Sequence, residues 1–330
     1  MLVMLAVVST QSNDLRFLSN LKDDGVIFIS IDDGEAANLR KLCDEVFGSE
    51  NFLSSISWKK RSSPDARATI GSIHDWMLCY LKNGERPKEA ISKMPLSEVR
   101  KKAFTNPDSD PRGAWASVDM TGMTGRATKE QFFKVTLPSG RIVFPPEGRS
   151  WGLAQSTFKK LLEDSRIWFG VVGDNVPRIK RFLQESEGQV VPSHWDMNEV
   201  GSNDEATKEV TDLLTIPKVF DTPKPSKLIK RMLQIGTKSD DIILDFFAGS
   251  ATTAHAVMQL NADDGGKRKF IMIQLPEECD EKSEAFKAGY KTIAEISKER
   301  IRRASKKIKE NHELTRIDTN KEKDNDLFNN

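Results

Sequence analysis

The chain has 330 residues, enough to bury a large core and to fold as two lobes rather than one. Its formal net charge of +1 offers no argument for a nucleic-acid partner, so any surface that binds nucleic acid must come from local clusters. The three cysteines and four histidines are scattered along the chain. This argues against a metal site and favours reduced thiols in a cytoplasmic protein.

The first predicted elements are those of a parallel sheet. Met1–Val8 is apolar but too short for a membrane span and has no basic flank for a signal peptide, so we expect a buried helix or strand that begins abruptly. Val26–Ile31 is a continuous apolar run, typical of a strand buried on both faces. A helix from Ala36 to Phe47 follows, and then strands over Phe52–Trp58 and Trp76–Leu81.

The composition changes after about Asn83. From there to Phe220 the chain is irregular and rich in glycine, proline, serine and charged residues, with helical patterns at Ser156–Asp164 and Val176–Gln184. The region contains enough aromatic residues to predict a folded inserted domain rather than a linker. Its tryptophans are Trp115, Trp151, Trp168 and Trp195.

Sheet-type elements then resume. The pattern predicts a helix over Pro225–Ile235, strands over Ile242–Phe247 and Phe270–Leu275, and a closing amphipathic helix that ends near Ile308. The tail is polar and is expected to be disordered. The predicted divisions are 1–83, 84–220, 221–310 and 311–330.

The most informative segment is Asp245-Phe-Phe-Ala-Gly-Ser-Ala-Thr-Thr-Ala-His255. A strand, an acidic residue, a loop of small residues and a helix are how an α/β protein forms a pocket for a nucleotide-like cofactor. Helix N-terminal N–H groups can bind a carboxylate, and Thr252 and Thr253 are suited to capping that helix. The loop lacks the lysine of a P-loop, and with Gly249 as its one glycine it does not match the NAD fingerprint, which disfavours an oxidoreductase.

This segment resembles the S-adenosylmethionine (SAM) loop of the amino-group DNA methyltransferases. Its continuation is similar to the methylation (Mod) subunit of type III restriction–modification systems, a family that methylates adenine at its exocyclic amino group. The resemblance extends from about Asp14 to Lys309. The segments that carry it are Gly25–Asp33, Phe144–Trp151, Arg166–Gly170, Phe220–Pro225, Val257–Gly266 and Ile271–Glu277.

The resemblance implies an α/β fold, a Rossmann-like SAM-dependent methyltransferase sheet with an inserted target-recognition domain. Residues 1–83 would be the base-pocket half, 84–220 the recognition insert, 221–310 the SAM-binding half and 311–330 a disordered tail. The implied cofactor is SAM, without a metal. The implied partners are double-stranded DNA, a second Mod copy in a homodimer, and a helicase–nuclease restriction subunit, with no membrane involved.

The resemblance also implies roles in the cofactor site. Asp245 would bind the SAM ammonium, and backbone N–H groups around Gly249–Ala251 its carboxylate, with Ala251 where many relatives have glycine. Gln274 aligns with the ribose-binding position, and Glu277 is an equal alternative. Thr222-Pro-Lys-Pro225 resembles the motif that closes over the methionine end, although a plain helix start is the alternative. The predicted cofactor contacts are Thr222, Lys224, Pro225, Asp245, Phe246, Phe247, Ala248, Gly249, Ser250, Thr252, Thr253, Gln274 and Glu277.

His74-Asp-Trp-Met-Leu-Cys-Tyr80 resembles the motif that lines the target-base pocket. A methyltransferase must flip the base out of the duplex and stack it on an aromatic side chain. Strand alternation puts Trp76 and Tyr80 on one face, so His74, Trp76 and Tyr80 are the predicted pocket, with core aromatics as the alternative. The predicted DNA contacts are Lys59, Lys60, Arg61, Arg112, Arg126, Arg141 and Arg149. The basic run between Lys298 and Lys309 is expected to be a solvated helix face rather than a DNA contact.

No catalytic residue is predicted. Relatives accept hydrogen bonds from the amine with an Asp-Pro-Pro-Tyr tetrapeptide before the strand that corresponds to Val26–Ile31, and this sequence has none. Its one Pro-Pro pair, Phe144-Pro-Pro-Glu147, has the wrong flanking residues. A truncated start, a second polypeptide that supplies the motif, and a remnant without turnover remain as explanations. We expect an adenine-specific DNA methyltransferase by descent with little activity alone, or alternatively a non-catalytic DNA-recognition subunit.

Overall fold

The computed structural model describes residues 2–7 and 21–327, with side chains described from 21 to 311. These residues form two compact units, Met1–Ser92 with Val191–Asn330, and Lys93–Val190. The second unit is shorter at both ends than the predicted insert 84–220. Residues 191–220 belong with the first unit because His194–Trp195 pairs with a strand of its sheet and Asn203–Leu214 packs on the C-terminal helix.

Strands and helices alternate along much of the chain. The strands are β1 (Leu2–Val7), β2 (Val26–Ile31), β3 (Phe52–Lys59), β4 (His74–Leu81), β5 (Trp115–Asp119), β6 (Thr121–Met123), β7 (Val135–Thr136), β8 (Ile142–Val143), β9 (Arg149–Trp151), β10 (Ile167–Trp168), β11 (Arg178–Phe182), β12 (His194–Trp195), β13 (Ile242–Asp245) and β14 (Lys269–Met272). The helices are α1 (Ala36–Phe47), α2 (Pro87–Ala90), α3 (Glu98–Lys101), α4 (Gln155–Glu163), α5 (Met197–Val200), α6 (Asn203–Leu214), α7 (Ser226–Gly236), α8 (Thr252–Asp264), α9 (Glu284–Lys287) and α10 (Ile293–Leu327).

Seven of the described strands form the sheet of the first unit, in the order β12-β3-β4-β2-β1-β13-β14. Every residue of β2 is buried, as its continuous apolar sequence predicts. One face of β2 packs on α1 through Ile27 and Ile29, while Gly236 of α7 lies close against Val26 and Phe28 on the other. Helices therefore cover both faces, which confirms the predicted α/β class. The apolar N-terminal run is a strand over residues 2–7, paired with β2 and β13.

The register brings several strand ends to one edge of this sheet. Ile31 at the end of β2 pairs with Trp76 near the start of β4, and Lys59 at the end of β3 pairs with His74. Asp245 at the end of β13 pairs with Met272 at the end of β14. Since β2, β1, β13 and β14 run parallel, their carboxyl ends share this edge, where open α/β sheets bind ligands.

The second unit has small antiparallel sheets around its own core, which includes Phe133, Trp151 and Phe158. The helix predicted at Ser156–Asp164 is present as α4. The helix predicted at Val176–Gln184 is wrong, because this segment forms β11, which pairs along its length with β5.

The C-terminal helix α10 continues to Leu327, through most of the tail that was predicted to be disordered. Residues 311–327 contain no glycine or proline, the two residues that are least favourable in a helix interior. Among the described residues, no helix is both long and apolar enough to cross a membrane.

Candidate active site

The loop after β13 has a backbone conformation that requires small residues. Gly249 has a φ of 49°, and a Cβ atom there would lie 3.2 Å from the Phe220 ring. Ala251 has a φ of 59°, a left-handed conformation that costs an alanine about 1 kcal/mol. The loop is therefore held in a strained form by its surroundings.

Asp245 is buried at the start of this loop. Its Oδ2 accepts a hydrogen bond from Thr253 Oγ1 at 2.6 Å, and its Oδ1 accepts one from the Phe247 N–H at 3.0 Å. Burial raises the pKa of Asp245 to about 6, although both hydrogen bonds act in the opposite direction. The carboxyl group thus links the loop to α8. Its two hydrogen bonds only partly offset the cost of burying its negative charge.

The predicted threonine caps are wrong. Ala251 is the N-cap of α8 and no side chain caps the helix. Thr253 instead donates to Asp245, and Thr252 Oγ1 donates to the Lys224 carbonyl at 3.1 Å. Both hydroxyls bond to the segments around the candidate pocket, because they lie inside the first turn rather than before it.

Gln274 lies beside the loop, beyond the end of β14. Its Oε1 accepts the Gly249 N–H at 2.8 Å, and the Ala251 N–H donates to the Ala248 carbonyl at 2.6 Å. These two N–H groups, which were predicted to bind the SAM carboxylate, are therefore engaged within the protein. Glu277 is exposed, farther along the same segment.

Asp75 is a site residue that sequence reasoning missed. Its buried carboxylate pairs with Lys60 Nζ at 2.5 Å and with Lys224 Nζ at 2.8 Å, and Lys224 also lies 4.8 Å from the centre of the Trp58 ring. Burial alone would raise the pKa of Asp75, but the two lysines hold it below its usual value. Lys60 and Lys224, predicted to bind phosphate and cofactor respectively, are thus both bound to Asp75.

The segment Thr222–Pro225 is joined to β4 through this cluster. Thr222 is exposed with a φ of 49°, and Pro225 is the N-cap of α7. Strand alternation was the available signal for Asp75, since it puts this residue on the face opposite Trp76.

Trp76 and His74 lie at the edge of the sheet. Trp76 is half-buried and donates from Nε1 to Asp33 Oδ1 at 2.7 Å, and the His74 ring packs edge-on against it at 5.1 Å. Trp76, Phe246 and Phe247 pack against one core cluster, so β4 and the Asp245 loop share this part of the core.

Tyr80 is fully buried, and its hydroxyl donates to Asp44 Oδ1 at 2.7 Å. Its ring packs between Phe47 and Phe52. Tyr80 is a core residue in this structure, and we do not retain it in the proposed pocket.

The predicted DNA contacts differ in their surroundings. In the first unit, Lys59 lies 3.6 Å from Asp196, and Arg61 is half-buried. In the second, Arg112 is held by Asp110 and Asp164 and stacks on Phe182, so it stabilises that unit. The other arginines there, Arg126, Arg141 and Arg149, are exposed, and the last two pair with surface carboxylates.

A family described as DNA methylase matches residues 12–285. The chain belongs to this family. It is 39% identical over 301 residues to the type III restriction-modification enzyme StyLTI Mod subunit of Salmonella typhimurium, and 34% identical over 315 residues to the EcoPI Mod subunit of Escherichia phage P1. The similarity to the Mod family is thereby confirmed. These matches cover 90% and 87% of this chain but 45% and 48% of the relatives, so the chain spans about half the length of the curated relatives it matches.

Other DNA methylases are also similar to the chain. The type II methyltransferase M.KpnI of Klebsiella pneumoniae is 30% identical over 301 residues, which is 85% of this chain and 69% of that protein. Among solved structures, a putative DNA modification methylase of Thermus thermophilus complexed with SAM has 14% identity and a TM-score of 0.38, covering 92% of this chain and 87% of that one.

Proposed function

We propose that the chain binds SAM at the Asp245 loop and serves the modification side of a restriction–modification system. The methyl group would go to the exocyclic amino group of adenine in duplex DNA. The observation that supports this most is the convergence of the Asp245 loop and the Trp76 segment at one edge of the sheet, in a member of the DNA methylase family.

The residues of the loop fit this cofactor. Asp245 is a carboxyl group whose pKa is raised by burial, and the SAM ammonium would supply a positive charge that favours its ionised form. Gly249 has a positive φ and no side chain, as the tight turn of a cofactor loop requires, and the Phe220 ring lies against the position that a Cβ atom would occupy. Gln274 and Glu277 remain the candidates for the ribose hydroxyls. When bound, SAM supplies an electrophilic methyl group.

Substrate DNA would be held by separate groups. Trp76 offers an aromatic surface for a flipped adenine, with His74 beside it and Asp33 fixing the indole. Phosphate contacts are assigned to Lys59 and Arg61 of the first unit, and phosphate or base contacts to the exposed arginines of the second. A cytoplasmic location, a second Mod copy and a restriction subunit belong to the same proposal.

Calorimetric titration tests the cofactor assignment. We expect saturable 1:1 binding of SAM and none of NAD⁺, because the loop does not match the dinucleotide fingerprint. A heat signal that is absent with SAM at millimolar concentration, or equal with NAD⁺, would contradict the proposal.

Turnover by this polypeptide is expected to be weak. The sequence contains no Asp-Pro-Pro-Tyr, and the Pro-Pro pair after Phe144 belongs to the second unit, not to the unit that contains the seven-stranded sheet. Loss of a preorganised hydrogen-bonding group costs about 100- to 1,000-fold in rate at comparable sites. Mass spectrometry of DNA incubated with SAM and the chain should therefore detect little methyladenine.

The same absence favours a second candidate function, DNA recognition without turnover. Mobility-shift assays on unmethylated duplexes should then show binding under conditions where no methyl group is transferred. Stoichiometric methylation by the chain alone would exclude this second function and support full enzymatic competence.

A further inference from the structure

The C-terminal helix α10 is bonded directly to the cofactor loop. Ser297 Oγ donates to the Gly249 carbonyl. Arg300, one turn farther on, donates from Nη1 to Ser250 Oγ and to Thr252 Oγ1, both at 2.8 Å. These bonds contact the loop on both sides of Ala251, the residue in the left-handed conformation.

Arg300 is also the centre of a buried charge network. Its side chain is 0% exposed, and Nη2 pairs with Glu209 Oε1 at 3.1 Å. The same Glu209 oxygen lies 3.0 Å from His255 Nδ1, and its other oxygen accepts the Ser226 N–H at 3.1 Å. One ion pair therefore links α6, α7, α8 and α10 to the loop.

The ionisation of Glu209 is set by its neighbours in this network. Burial opposes ionisation of Glu209, but His255 and Arg300 outweigh it and lower the pKa to about 2. Glu209 is thus a carboxylate at neutral pH and balances the guanidinium. Arg300 belongs to the basic run that was expected to be a solvated face, and the structure corrects this: the helix buries Arg300 and exposes Arg302.

A buried guanidinium is expensive to desolvate, and an apolar side chain would pack α10 against the core equally well. The hydrogen bonds to Ser250 and Thr252 are what an apolar residue could not provide. A left-handed alanine persists only where its surroundings over-determine the conformation. Arg300 is placed to fix Ala251 in this conformation, because it donates hydrogen bonds to the residues immediately before and after Ala251.

We propose that Arg300 is a positioning residue that fixes the loop in its cofactor-binding conformation from helix α10. The inference rests on the proposed function, since it takes the Asp245 loop to be the SAM site. Arg300 acts through Ser250 and Thr252, not by touching the reacting atoms.

Five chains separate this role from plain stabilisation: the unchanged chain, Arg300→Met, Arg300→Lys, Arg303→Met and the double variant Arg300→Met/Glu209→Gln. Arg303 is the matched control because it lies on the same helix and bonds to the carbonyls of Leu213 and Leu214 in α6, not to the loop. The double variant removes both buried charges. It therefore avoids the free-energy cost of leaving the Glu209 carboxylate buried without its guanidinium partner. The amide that Glu209→Gln introduces would still offer an oxygen to the Ser226 N–H.

We expect the SAM dissociation constant of Arg300→Met to rise about tenfold or more, and that of Arg303→Met to stay within about twofold. In the double variant the urea midpoint should recover while SAM affinity stays low, and Arg300→Lys should restore part of the affinity. Amide exchange of residues 248–253 should accelerate in both Arg300→Met chains, without a change in β3 and β4.

The outcomes are distinguishable. If the unchanged chain does not bind SAM, the proposed function fails. If it binds SAM and Arg300→Met binds equally well, the positioning role is wrong. Recovery of both stability and affinity in the double variant would also overturn it, because Arg300 would then be a packing residue whose charge matters only to Glu209.

Discussion

Replacement of Asp245 by asparagine is expected to weaken SAM binding about a hundredfold at pH 8. Loss of one partner of a buried, hydrogen-bonded charge pair costs about 2 to 5 kcal/mol, and each 1.4 kcal/mol is about tenfold in affinity. Asparagine keeps an oxygen that can accept from Thr253 or from the Phe247 N–H, so much of the loop geometry should survive. What it removes is the negative charge that faces the proposed ammonium.

The pKa of about 6 makes this assignment testable by pH alone. Below pH 6 the carboxyl group takes up a proton and no longer attracts an ammonium, so SAM affinity should fall about tenfold for each further pH unit. The stability of the ligand-free fold should change in the opposite sense. A carboxyl group whose folded pKa is raised favours folding when protonated, and this contribution is lost as pH rises from about 4 to about 6.

Calorimetry at pH 5, 6, 7 and 8, together with urea unfolding over the same range, measures both trends. Asp240→Asn is the control, because Asp240 is an exposed carboxylate just before β13, at the opposite end of the strand. The asparagine variant at position 245 should show weak, nearly pH-independent binding. If it matches the unchanged chain at every pH, Asp245 only shapes the loop, and the ammonium must bind elsewhere.

Local patterns carried the predictions that succeeded. The structure of β2 can be predicted from its apolar run, and that of the turn after β13 from its small residues, each within about ten consecutive residues. Part of the Asp245 loop is also held by local bonds, because Asp245 accepts hydrogen bonds from Phe247 and Thr253, both within the motif. Such segments can be recognised without knowledge of the rest of the fold.

The predictions that failed concern residues whose structure depends on contacts with distant parts of the chain. The segment Arg178–Phe182 is a strand because β5, about sixty residues earlier, pairs with it, and Lys180 is buried against Asp110 at 3.0 Å. Asp75 bonds to Lys224 across 149 positions, and Arg300 bonds to Ser250 across 50. Spacing along one element cannot show that a charged residue has a buried partner on another.

The Asp75 cluster is expected to govern the stability of the first unit. Asp75→Asn leaves Lys60 and Lys224 facing each other with no carboxylate between them, at a site where all three side chains are largely buried. Breaking such a pair costs about 3 to 5 kcal/mol. Urea unfolding at pH 7 should therefore show a loss of about 3 kcal/mol. Asp65→Asn is the control, since Asp65 pairs with an exposed Arg67 and its replacement should leave the midpoint almost unchanged.

Acid titration gives the same cluster a second test. The pKa of Asp75 is lowered in the fold, so its contribution is present above its unfolded pKa and is lost as pH falls through the folded value. The difference in stability between the unchanged chain and Asp75→Asn should then shrink towards acidic pH. A difference that stays constant down to pH 2 would show that the carboxylate charge is not what holds Lys60 and Lys224.

Lys224→Met at neutral pH should reduce the free energy of unfolding less than Asp75→Asn does, because Asp75 keeps Lys60 as its partner. This order of effects follows only if the three groups form one cluster.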